Sequence, residues 1–152
     1  MCEAENDHVC PGLRVGARSG MMDSVHRDRV RSGGAFEKLA GYSRAVRAGN
    51  LIFVSGTAAL DDAGRGIPHG DAYEQAREAI ARALAAVSEL GGTAANVVRT
   101  RLFLAQEADW REAVRAHGEA FSGIDPANTT MFVHGFIPEG CLLEVELDAV
   151  LD

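Results

Sequence analysis

The chain has 152 residues, enough for one domain with a proper core. Its formal charge of −7 argues against a nucleic-acid partner, whose phosphates are bound by basic surface. No apolar run approaches the length of a membrane span, and the polar N-terminus lacks the apolar segment of a secretory signal.

Residues 1–33 mix five acids with five arginines and show no sustained hydrophobic period, so a flexible N-terminal extension is expected there. Cys2, His8 and Cys10 match no common metal template and lack a fourth ligand, so neither a metal nor another cofactor is expected. With Cys141 the cysteines number three and form no CxxC pair, which fits free thiols in a reducing cytoplasm. The folded domain is placed at 34–152. Tyr42–Val46 reads as a short strand, Asn50 as a turn tip, and Leu51–Ser55 as a buried strand ending at Gly56. Asp61–Gly70, with its glycines and proline, is a loop with a brief edge strand at Ile67. Gly64 and Gly66 lack the lysine and following helix start of a phosphate loop.

Asp71 opens a long helix whose stripe runs through Ala72, Ala76, Ala79, Ile80, Ala83, Leu84, Val87 and Leu90, and Gly91-Gly92 ends it. Val97–Leu104 is a strand. Asp109 and Glu112 have capping-box spacing before a second helix that runs to Phe121. Two strands close the chain, Pro126–His134 and Leu142–Asp148. The order β-β-α-β-α-β-β predicts an α+β domain, a mixed sheet with two helices on one face.

Alternation then sorts the side chains. In the last strand Leu143, Val145, Leu147 and Ala149 share one face, and Glu144, Glu146 and Asp148 the other. Carboxylates without partners are costly to bury, so that face must meet water, bases or another subunit. Val98, Leu102 and Leu104 are expected under the helices. Arg99, Arg101, Asn128, Thr130 and Glu144 are expected together on the opposite side. A sheet with one bare face commonly covers it by oligomerising.

Four blocks carry a resemblance: Tyr42-Ser-Arg-Ala-Val46, Ala48-Gly-Asn-Leu-Ile-Phe-Val-Ser-Gly56, Pro126-Ala-Asn-Thr-Thr130 and Glu144-Val-Glu146. In this order and at these separations the chain, over residues 34–152, resembles the RidA/YjgF family of reactive imine deaminases. The resemblance implies a chorismate mutase-like fold, a homotrimer with clefts between subunits, and, as in many members, hydrolysis of reactive 2-imino or enamine acids to 2-keto acids and ammonia. It implies that Glu144 helps position the attacking water, that Tyr42 is a cleft residue and that Ser55-Gly56-Thr57 faces the neighbouring subunit's cleft. Thr130 matches a position held by cysteine or a small polar residue. Asn128 stands where deaminating members carry the arginine that grips the substrate carboxylate, and Val114 where they often carry asparagine.

An amide has neither the charge nor the fork of a guanidinium. The loss is worth roughly 1.5–3 kcal/mol, so a simple 2-imino acid should be held weakly unless another cation substitutes. Arg101 is that candidate, and its alternative role is an ion pair with Glu146. Asn128 itself suits a neutral substrate. Two-residue spacing lets Glu144 and Glu146 raise one another's pKa.

Three functions stay in view: an imine or enamine hydrolase, a non-catalytic module that binds a metabolite or protein in the same clefts, and RNA cleavage, which the acidic charge disfavours. His117 reads as a satisfied helix-face histidine, His134 as a strand-end residue, Cys141 as a small buried thiol, and Trp110 as a staple between helix and sheet.

Overall fold

The computed structural model describes residues 26–152. Six strands form one mixed sheet in the order β1-β2-β3-β6-β4-β5. They are β1 (Arg27–Val30), β2 (Ala45–Ala48), β3 (Leu51–Thr57), β4 (Val97–Leu104), β5 (Ala127–Phe132) and β6 (Leu143–Val150). The pairing of β4 with β5 is parallel, and every other pairing is antiparallel. Three helices complete the fold: α1 (Ala35–Ala40), α2 (Ala72–Glu89) and α3 (Trp110–Ala120).

The long helix forms where its stripe predicts. The Asp71 side chain accepts from the Glu74 amide at 2.9 Å, satisfying one of the free N–H groups of the first turn. Gly91, at φ 88°, ends it. Ala72, Ala76, Ala79, Ala83 and Ala86 are all buried, so α2 lies close against the sheet, with Ile80 and Val87 filling the gaps. Beneath it Leu143, Val145 and Leu147 of β6 are fully buried. Burying such side chains contributes about 1.5–3 kcal/mol each. The glutamates between them are thereby held on the far face.

Several expectations need correction. Arg27–Val30, assigned to the flexible extension, pairs with β2 as an edge strand, while Cys2, His8 and Cys10 lie outside the described residues. The helix α1 was not foreseen, because six residues are too few for a periodic signal. The first predicted strand is displaced, and Tyr42 precedes it. The bridge in the Asp61–Gly70 loop joins Leu60 to Gly66 rather than involving Ile67. In β4 the register shifts between Val97 and Arg99, so Val97 is buried and Val98 is 48% exposed, the reverse of the alternation assumed. Asp109 caps α3 through the Arg111 amide, but Glu112 pairs with Arg115 instead of closing a capping box.

The strand β5 presents the faces opposite to those expected. Its register places Asn128 beside Thr100 and Thr130 beside Leu102, and both of those β4 residues are fully buried on the helix side. Asn128 and Thr130 therefore lie on the helix face of the sheet. Arg101 and Glu144 lie on the other, as their pairings with Glu146 and Phe103 require. The physical reason is that β5 is a parallel edge strand whose outer side is open, so its own burial pattern does not mark an inward face.

Gln75 ties the two halves of the fold together. Fully buried on α2, it donates to the carbonyls of Pro68 and Gly140 at 2.9 Å and accepts from the Leu142 amide at 2.9 Å. Replacement by leucine would strand all three backbone groups, so Gln75→Leu should lower stability by about 2–4 kcal/mol. Urea unfolding monitored by circular dichroism checks this, and a change under half a kilocalorie, about the noise of such data, would contradict it.

Candidate functional site

The site residues fall into two groups on opposite faces of the sheet. The first is a corner around Glu144. Between Val54 and Thr57 the pairing with β6 skips from Leu147 to Val145, so β3 carries an extra residue, a bulge at Ser55-Gly56. The bulge brings Gly56 against the Glu144 carboxyl: a Cβ at Gly56 would stand 2.6 Å from Oε2. Only glycine leaves that carboxyl its place.

Arg44 holds the bulge. Its Nη1 donates to the Gly56 carbonyl at 2.6 Å and to Thr57 Oγ1 at 2.8 Å. The Ser55 hydroxyl turns back to the Ser43 and Arg44 carbonyls, at 3.1 and 3.0 Å. The Arg44 guanidinium also lies 5.8 Å from the Tyr42 ring centroid. Behind it sits Glu37, only 5% exposed, 3.7 Å from Arg44 Nε. Burial would raise the Glu37 pKa, but hydrogen bonds from Ser32 and Gly33, with Arg44 nearby, hold it below its ordinary value.

Glu144 differs. Among the described residues it has neither an ion pair nor a hydrogen bond through its side chain. Burial raises its pKa above the ordinary 4.5, Arg44 opposes the rise, and Glu146 adds to it. Its neighbours on the same face are neutralised. Arg101 reaches Glu146 at 3.5 Å and Asp148 at 3.2 Å, and Arg99 adds a longer contact to Asp148 at 3.9 Å. Arg101 is thus held in the ion pair, on the face away from Asn128.

The second group lies between α3 and β5. A groove of about 400 Å³ is lined by Trp110 and Val114 from the helix and by Asn128, Thr130 and Phe132 from the strand, with Leu104 among its walls. Its polar side chains form a chain. Thr130 Oγ1 donates to Asn128 Oδ1 at 2.9 Å, and Asn128 Nδ2 donates to Thr100 Oγ1 at 3.0 Å. Thr100 Oγ1 is in turn bonded to His117 Nε2 at 2.8 Å. Burial lowers the His117 pKa, so the imidazole is neutral at pH 7. Asp125, at φ 51°, reverses the chain after α3 and delivers Pro126 into β5; aspartate tolerates that left-handed conformation better than most residues.

Tyr42, Ser55, Gly56, Thr57 and Glu144 are therefore brought together, and Asn128 and Thr130 are brought together elsewhere. His117 is satisfied as expected, through its bond to Thr100 behind the groove. Trp110 does not staple the helix to the sheet but stands 44% exposed at the groove with the Arg111 guanidinium 4.6 Å from its ring centroid. Cys141 is buried, donates to the Leu143 carbonyl, and has its pKa pushed up to about 12, chiefly by burial. Sequence reasoning missed Arg44 and Thr100. Arg44 stood inside a block that drew attention, but a lone arginine before a strand reads as a solvated charge. Thr100 sat between two arginines with nothing to mark it as a link. Among the described residues no group of His, Cys, Asp or Glu could hold a metal ion, and no helix is long and apolar enough to cross a membrane.

These features define a class: an α+β domain with its two longer helices on one face of a mixed sheet and polar clusters on opposite faces. Comparison with known proteins narrows it. The endoribonuclease L-PSP family profile matches residues 33–151. An uncharacterized protein of Streptomyces coelicolor is 40% identical over 122 residues, covering 80% of this chain and 90% of its own length. The mouse 2-iminobutanoate/2-iminopropanoate deaminase is 28% identical over 129 residues, covering 85% of this chain and 95% of its own. The crystal structure of a YjgF-family protein from Mycobacterium tuberculosis superposes with a TM-score of 0.74 at 39% identity, covering 83% of this chain and all of that one. The chain belongs to this family, endoribonuclease L-PSP or RidA/YjgF, and has its fold.

The Glu144 environment makes a prediction with a definite sign. A carboxyl whose folded pKa exceeds its unfolded value stabilises the fold fully below the unfolded value, and that contribution is lost as pH rises through the folded one. Glu144→Gln should therefore be more stable than the parent at pH 7, and the difference should disappear below about pH 4. In carboxyl NMR titrations Arg44→Met should move the Glu144 midpoint higher still. A midpoint that fell instead would mean Arg44 does not act on this carboxyl.

Proposed function

We propose that the protein hydrolyses a reactive imine or enamine, releasing ammonia, in clefts formed between the subunits of a homotrimer. The observation that carries this reading is Glu144: a half-buried carboxyl with no bonded partner among the described residues, a raised pKa, and a glycine leaving space before it. Such a group suits general acid–base work. The mouse relative's name, an imine deaminase, supports the same chemistry.

The steps balance without a cofactor. Water attacks the imine carbon while Glu144 accepts its proton, and the nitrogen is protonated. The resulting carbinolamine collapses, so the water oxygen becomes the carbonyl oxygen and the nitrogen leaves as ammonia. An enamine enters through protonation at carbon to give its imine. Tyr42, Ser55, Gly56 and Thr57 shape the corner where the water sits, while Asn128 and Thr130 hold the substrate's far end.

Those two ends lie on opposite faces of one chain's sheet, which supports an assembly in which the corner of one copy meets the groove of the next. The face without helices adds to this support. It exposes Phe53 and Met131, each at 47%, beside the arginine–carboxylate pairs. A helix-free sheet face of this kind is commonly covered by another subunit. The family description names an endoribonuclease, but the acidic charge and the pairing of Arg99 and Arg101 with carboxylates leave little basic surface for RNA. A non-catalytic metabolite-binding module on the same trimer is the alternative reading.

Ammonia release from imines generated in situ by an amino-acid or amine oxidase tests the proposal. Glu144→Gln should reduce the rate by about 100-fold or more, and equal rates would leave only the binding module. Light scattering should give three times the chain mass, and a monomer would remove the proposed cleft.

A further inference from the structure

From the chemistry of the groove we infer that the substrate carries no carboxylate: the ligand is an uncharged imine, enamine or amide-like molecule with an apolar body. This deepens the function just proposed by naming its substrate class. The groove's apolar walls are Trp110, Val114, Phe132 and Leu104, and the polar side chains that line it are Asn128 and Thr130. None of these carries a charge.

The polar end is also committed in its directions. Thr130 spends its hydroxyl hydrogen on Asn128 Oδ1, and Asn128 spends one amide hydrogen on Thr100. What remains for a ligand is the second Asn128 N–H and the lone pairs of Asn128 Oδ1 and Thr130 Oγ1. A carboxylate only accepts, so it would meet one donor and several acceptors there. A group with both an N–H and an acceptor atom, such as an amide or an N–H imine, matches the set. His117, behind Thr100, is neutral and adds no positive charge.

The arginines described around the two sites do not repair this. Arg101 and Arg99 are paired with carboxylates on the other face. Arg115 is held between Glu112 and Glu119. The Arg44 charge lies between Glu37 and Glu144, so the corner that would complete the cleft brings at least as much negative charge as positive. Arg111 lies outside the groove lining, exposed on the Trp110 ring, where water and salt screen it.

Binding measurements test the inference without relying on turnover. Isothermal titration calorimetry on the intact protein would compare 2-phenylacetamide with phenylacetate, which share an apolar body and differ in charge. The amide should bind at least about tenfold tighter, and Asn128→Arg should reverse the order. Phenylacetate binding equally well or better, or no detectable binding of either, overturns the inference. If the amide is preferred but Glu144→Gln leaves ammonia release unchanged, the ligand class stands and the catalytic proposal falls.

Discussion

The alternation of β6 is the constraint on which the rest of the structure depends. Leu143, Val145, Leu147 and Ala149 are all buried against α2, and each removes apolar surface from water. Rotating the strand by one residue would drive Glu144, Glu146 and Asp148 into that core, at a cost no packing could offset. The apolar set therefore fixes the acidic set. Because β6 is central, with β3 on one side and β4 on the other, its choice of faces is passed to both neighbours by pairing.

Three carboxylates on that face then meet different fates. Glu146 and Asp148 lie beside β4, whose arginines neutralise them. Glu144 lies beside Phe103 and the β3 bulge, where the nearby cation, Arg44, is already tied to the bulge carbonyls and to Glu37. A carboxyl beside a charge whose hydrogen-bond capacity is engaged elsewhere feels its field without being captured by it. That distinction separates a structural ion pair from a group able to exchange a proton.

The groove follows a different logic, that of a saturated polar chain. Thr130, Asn128, Thr100 and His117 satisfy one another, so the amide is fixed in orientation before any ligand arrives. Preorganisation of this kind favours ligands that match the remaining donor and acceptors.

Four blocks in order carried the family resemblance, and the sequence by itself also determined the fold class, the long alanine-rich helix and the two faces of β6. These are local or periodic properties, written in spacing and composition. Tertiary structure alone decided the side on which Asn128 and Thr130 lie, because a parallel edge strand takes its orientation from register with β4 and not from its own exposed pattern. It also decided the reversal at Val97 and Val98, where one bulge undoes simple alternation, and the partnership of Arg44 with Glu37 and Glu144. Charges distant in sequence find each other only after the backbone has folded, and no spacing rule records that encounter.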